Sequence, residues 1–251
     1  MIVRGRVALG VLCLAIWQAG HWALGADWIS GPVDIVRRLA EITASGELAR
    51  HTMATLSEAA LGFLLGGGAG MLLPFALRRS PRLTAALDPF FTAAMGVPKL
   101  ALAPLLILWF GIGVMSKVVF VAAVVFFFLF FNVLAGVRSI DPRLAAAVRV
   151  LGAREWTVTW EIAWHTALPY VFTGLKVALP RAISAAVVGE FIAADRGLGY
   201  YINNARAMAD PVGLFTGVTV VTVLVLAIDA GLERVQARSL AWRPLARDAT
   251  V

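Results

Sequence analysis

The chain has 251 residues, of which 60% are hydrophobic and 15% charged, with a formal net charge of +7 and a mean hydropathy of +0.84. A typical soluble domain is about 45–50% apolar and about 25% charged, so this composition argues against a soluble enzyme. The excess charge is almost wholly arginine beside apolar runs, a placement that membrane topology and anionic lipid explain and that nucleic acid does not.

Six apolar runs follow in chain order, each of about 20 residues and so long enough to cross a hydrocarbon core about 30 Å thick. The first, Arg6 to Leu24, holds Cys13, the only cysteine, and one thiol builds no disulfide framework. Its basic start and the small residues Ala23 and Gly25 also suit a signal peptide. An uncleaved anchor is the expectation, because it gives the even number of crossings that the charge distribution favours. Next, Val33, Val36, Leu39 and Ile42 fall at helical spacing opposite Asp34, Arg37, Arg38 and Glu41, which predicts an amphipathic helix on the outer face. The second run, Leu56 to Leu77, places glycine at 62, 66 and 70, a spacing that lets helices approach closely.

The third run, Phe90 to Phe110, contains Pro98 and Lys99. A helix broken there would admit water and draw an anion to the ammonium, whereas snorkelling or pairing with Glu190 would make Lys99 structural. The fourth is Val118 to Val137. The fifth, Leu175 to Ala194, carries Glu190, with Lys176 and Arg181 within reach of the headgroups, and the sixth, Val212 to Leu232, ends near Asp229. Lys99 and Glu190 are the candidates for the translocation path. No G-x4-G-K-[ST] phosphate loop occurs, and His21, His51 and His165 are scattered, as interfacial or surface residues.

With the N-terminus in the cytoplasm, thirteen arginines fall on the cytoplasmic side. They are Arg4, Arg6, Arg78, Arg79, Arg82, Arg138, Arg143, Arg149, Arg154, Arg234, Arg238, Arg243 and Arg247. Six basic residues (Arg37, Arg38, Arg50, Lys117, Arg196, Arg206) fall outside. The positive-inside bias thus predicts a multi-pass protein of the cell inner membrane with both termini cytoplasmic.

A polar island, Ala145 to Pro169, separates the fourth and fifth runs on the predicted cytoplasmic side. Asp141 is suited to cap a helix with Pro142 in its first turn, running Arg143 to Leu151. Gly152 is a natural left-handed stop. A second helix, Ala153 to about His165, would present Trp156, Trp160 and Trp164 on one face, with Pro169 as the next break. Two short helices around a glycine, held outside a bilayer, suit the docking of a soluble partner.

The island resembles the coupling motif E-A-A-x-x-x-G-x9-I-x-L-P of ABC importer permeases, laid on this chain from Ala146 with its glycine at Gly152 and its isoleucine at Ile162. Two departures matter: the usual glutamate is Ala146, and the usual Leu-Pro is Trp164-His165. Segments Pro98 to Gly113, Asn132 to Leu144, Gly174 to Ala182 and Gly189 to Ile202 are similar to the nitrate, sulfonate and taurine importer subgroup.

The resemblance implies an all-α polytopic permease of the type I ABC importer fold. It would have an N-terminal span and external segment at 1–50, a permease domain at 51–240 with a coupling loop at 138–169, and a cytoplasmic tail at 241–251. It also implies docking through Ala146, Ala147, Arg149, Leu151, Gly152, Ala153, Trp156 and Ile162 onto two ATP-binding subunits, which would hold the ATP and magnesium. No cofactor or metal is expected in this chain. The expected partners are an external solute-binding protein, a second permease copy and membrane lipid. The implied cargo is a small anion such as a sulfonate, taurine or nitrate; thiamine-precursor and riboflavin permeases are similar enough to remain alternatives. An ion-coupled secondary transporter is the remote rival, and would call for an inverted repeat and membrane-embedded acids along a path.

Overall fold

The computed structural model describes residues 2–25 and 28–242, leaving aside the side chains of residues 2–4, 6, 7, 145, 155 and 159. Arg243, Arg247 and most of the expected tail therefore lie outside the described residues. Every regular element described is helical. In chain order these are α1 (Ile2–Leu24), α2 (Pro32–Ala44), α3 (Glu47–Gly62), a π-helical turn (Phe63–Gly67), α4 (Gly68–Leu77) and α5 (Pro81–Gly96). After a 3-10 turn (Lys99–Leu102) come α6 (Ala103–Phe110), α7 (Val114–Arg138), α8 (Pro142–Val150) and a single turn α9 (Glu155–Thr157). A second π-helical stretch (Val158–Ala163) leads into α10 (Trp164–Ile192), followed by α11 (Leu198–Ala207) and α12 (Pro211–Ser239).

Four helical stretches are long and apolar enough to cross a membrane: Glu47–Leu77, Val114–Arg138, Trp160–Ile192 and Pro211–Ser239. Their mean hydropathies reach 1.5 to 2.9. The expected third span is not one straight helix. It consists of α5 and the segment Lys99–Phe110, bent by 83°. The cause is local: Pro98 forces Val97 out of the helical region, to φ −63° and ψ 127°. The expected first span is the shorter apolar helix Ala8–Leu24 within α1.

Two other expectations are corrected. The second island helix does not stop at Pro169. The π-helical stretch feeds directly into α10, which runs through both Pro169 and Pro180. Spanning helices tolerate proline where neighbouring groups or local adjustment of the helix satisfy the carbonyl that it frees four residues back. The amphipathic helix α2 also turns a different stripe inward than Val33 and Val36, which are 74% and 66% exposed. Ile35 and Ile42, one heptad apart, are its buried residues.

The described residues form two compact units, one within Met1–Ser57 and Ala186–Leu224, the other within Glu58–Ala185 and Val225–Val251. The second is built on α7, whose Val121, Val125, Leu129, Phe130 and Val133 are at most 1% exposed. The glycine ladder makes this packing possible. A Cβ on Gly66 would collide with the Ala122 backbone, and one on Gly70 would sit 2.6 Å from Phe126 O. Lipid tails are as apolar as these side chains, so the gain here is close packing rather than release from water. The rings of Phe91 and Phe130 lie 4.4 Å apart, continuing the same contact.

In the first unit, α1 is tied to the segment leading into α2. Trp17 Nε1 donates to Ser30 O at 3.1 Å, and His21 Nδ1 lies 2.6 Å from Ile29 O. Arg38 reaches Asp210 at 3.3 Å, joining α2 to the start of α12.

Candidate coupling loop and buried polar sites

The loop between α7 and α10 is shaped by its own backbone. The Asp141 carboxylate accepts the Arg143 N–H at 2.8 Å, capping α8, with Pro142 at the first helical position. At the other end, Gly152 N donates to Arg149 O at 2.9 Å and Ala153 N to Val148 O at 3.0 Å. This pair of bonds is a Schellman stop, which requires a left-handed residue, and Gly152 supplies it at φ 88°. A Cβ on Gly152 would meet nothing within 4 Å, so its constraint is conformational and not steric.

Around the glycine stop, large apolar side chains face out. Val150 and Leu151 are 88% and 84% exposed, and Leu144 and Trp156 are exposed too. Ala146, Ala147 and Arg149 are exposed, whereas Ala153 and Ile162 are half-buried. Trp156, Trp160 and Trp164 form a ladder with ring centroids 5.3 and 6.0 Å apart. Trp164 anchors it against Phe75 at 5.7 Å. The eight residues expected to dock a partner thus belong to one short segment, six of them in α8 and its glycine stop and two, Trp156 and Ile162, on the ladder's helical stretch.

Lys99 begins the 3-10 turn after the helix break. Its Nζ donates to Ala94 O at 2.7 Å and Met95 O at 2.5 Å, satisfying carbonyls at the C-terminus of α5. It also lies 4.5 Å from the centre of the Phe127 ring. Lys176 pairs with Glu233 at 3.0 Å, and Arg181 stacks over Phe128 at 4.1 Å.

Glu190 is 1% exposed and is engaged at the start of α11. Its carboxylate accepts the Thr55 hydroxyl at 2.7 Å and the Gly199 N–H at 2.6 Å. Thr55 Oγ1 in turn accepts the Leu198 N–H at 2.8 Å, and His51 Nδ1 accepts the Gly197 N–H at 3.0 Å. Three amides at a helix N-terminus, groups that lack partners within their own helix, are thereby met by side chains from α3 and α10. Gly197 has φ 115°, and a Cβ there would overlap the Glu190 carboxylate. His51, expected at an interface or surface, is instead 3% exposed and stacked on Tyr200 at 5.9 Å.

A buried charge pair escaped sequence reading. Lys117, counted there as an outer-loop residue, is 4% exposed in the first turns of α7, and its ammonium pairs with the Glu58 carboxylate, itself 1% exposed. The signal was present: Glu58 lies inside the expected second span, and an acid in a span needs a partner.

Residues 61–240 match the family model described as the binding-protein-dependent transport system inner membrane component. The chain belongs to this family. Its permease fold is that of type I ABC importers. The inward-facing methionine ABC transporter MetNI superposes with a TM-score of 0.63 at 18% identity, over 76% of this chain and 94% of that one. A permease protein of Bacillus subtilis (strain 168) named for aliphatic sulfonate transport is 33% identical over 94% of this chain and 86% of its own length. The riboflavin transport system permease protein of Chloroflexus aurantiacus is 36% identical over 87% and 82%. The permease is thus a multi-pass inner membrane component, and its relatives are membrane permease subunits.

Proposed function

We propose that the permease docks two ATP-binding subunits through the loop at 138–169 and moves a small organic anion, of the sulfonate class, delivered by an external binding protein. The observation that carries this is the loop itself, an exposed apolar face on a helix stopped by a backbone-held left-handed glycine. ATP and magnesium would sit in the partner subunits. Nucleotide-driven closure of two such subunits would drag α8 on each of two permease copies and rock the spans between inward- and outward-facing states. Lys99, a cation at a break in the third span, is the candidate for drawing an anion along the path. Glu190 serves that path indirectly, by holding the start of α11.

The arginine count supports cytoplasmic termini and a cytoplasmic loop. Two sets of contacts support the alternation that it requires. His51 and Thr55 meet residues 197–198, as expected of two segments on the same side of the membrane. Arg78 and Arg79 line a cleft with Pro142 and Arg149, putting two expected cytoplasmic segments together. The riboflavin relative keeps a neutral heterocyclic cargo as the second reading.

Gly152→Val tests the coupling role. A left-handed residue other than glycine costs about 1–2 kcal/mol, and that strain falls outside the spans. The variant is expected to insert in normal amounts, lose its co-purifying ATP-binding subunit and lose uptake. Normal transport with the subunit retained would make the loop passive.

A further inference from the structure

Two cavities adjoin in the second unit, sharing Arg78, Pro81 and Val137 in their walls. The larger, about 670 Å³, is lined by three arginines, Arg78, Arg79 and Arg149. The smaller, about 250 Å³, is a mostly apolar slot bounded by Pro74, Leu77, Ala85 and Leu134, with Thr84 and Arg138 also in its wall. Arg78 and Arg79 directly follow α4, the end of one membrane-crossing stretch, and Val137 lies at the end of another. The shared wall therefore stands where hydrocarbon gives way to headgroups.

We infer that this double cavity binds an anionic phospholipid, its phosphate among the guanidiniums and the first part of an acyl chain in the slot. Each guanidinium carries five donors in a fork that fits phosphate oxygens. A free phosphate would use only the basic half, and a zwitterionic lipid would bring a choline or amine against three cations. An anionic amphiphile matches both halves. The inference depends on the spans ending there and not on which leaflet is involved; the cleft shares Pro142 and Arg149 with the proposed coupling loop, so the test separates lipid from protein there.

The test is native mass spectrometry of the full-length permease in mixed micelles holding equal phosphatidylglycerol and phosphatidylcholine. The wild type is expected to retain phosphatidylglycerol in preference. Arg78→Gln with Arg79→Gln should lower that preference by roughly 25-fold, about fivefold for each charge near the headgroups. Ala85→Trp changes no charge but fills the slot, and should also reduce retained phosphatidylglycerol. Soluble glycerol phosphate at millimolar concentration should not displace the lipid. Equal retention of the two lipids by the wild type, or an unchanged preference in the double variant, would overturn the inference. So would displacement by glycerol phosphate, which would mark a free-phosphate site, or emptying of the cleft by a bound ATP-binding subunit, which would reassign the arginines to protein docking.

Discussion

Gly152 and Gly197 both adopt left-handed backbone, at φ 88° and φ 115°, yet they are held in opposite ways. Around Gly152 the chain supplies its own bonds, and the space a side chain would enter is empty. Around Gly197, buried side chains supplied by two other helices reach in, and the Glu190 carboxylate fills that space. The first arrangement leaves a turn's outer surface free for another molecule to read. The second spends its surface on fixing a helix start. A glycine turn in a membrane protein is thus a candidate docking element when its neighbourhood is empty, and a structural joint when it is full.

Substitutions can break this distinction. The largest effect is expected at the full joint. Glu190→Ala strands the Gly199 N–H, at a cost of about 1–3 kcal/mol when buried, and leaves the Thr55 hydroxyl only the longer bond to His51 O at 3.3 Å. Membrane abundance and thermal stability should fall together, and unchanged abundance would mean that the carboxylate does not hold α11. The paired substitutions Gly197→Ala and Gly152→Ala come next. Alanine at positive φ costs about 1–2 kcal/mol in the left-handed helical region. Gly197, at φ 115° and ψ 163°, lies in a region essentially confined to glycine, and only there does a Cβ also collide with Glu190. Gly197→Ala should therefore unfold at a lower temperature than Gly152→Ala in the same detergent; equal shifts would erase the contrast.

The smallest structural effect is expected at Lys99. Glutamine keeps donors for Ala94 O and Met95 O and removes only the charge. Lys99→Gln should leave abundance and retention of the ATP-binding subunit unchanged while uptake at low substrate falls. Undiminished uptake would reduce Lys99 to a helix cap.

Much of the loop was legible because its determinants are local. Asp141, Pro142 and Gly152 act through bonds to residues within five positions of themselves, so residue identity and spacing suffice to place them. The glycine ladder was legible for a related reason, since spacing alone sets which face is bare. The Glu190 joint was not, because its partners Thr55 and Gly199 become neighbours only through the fold. The same holds for Lys117 and Glu58, and for the choice of Ile35 over Val33 as the buried residue of α2. The π-helical stretch that carries the chain into α10 has no pattern in the apolar spacing at all. The bend at Pro98, by contrast, could be read from one residue, though its size of 83° could not.

Site-directed cross-linking addresses the coupling claim most directly. Cys13 is the only cysteine, so Cys13→Ser gives a blank background in which Leu151→Cys, at a residue 84% exposed beside Gly152, carries the sole thiol. With a co-expressed ATP-binding subunit, a thiol-to-amine cross-linker should join Leu151→Cys to that subunit, and a membrane-impermeant maleimide added to intact spheroplasts should fail to label it. The same reagents at Asn203→Cys should give the reverse. Labelling of Leu151→Cys from outside, or no cross-link to the ATP-binding subunit from inside, would contradict the account.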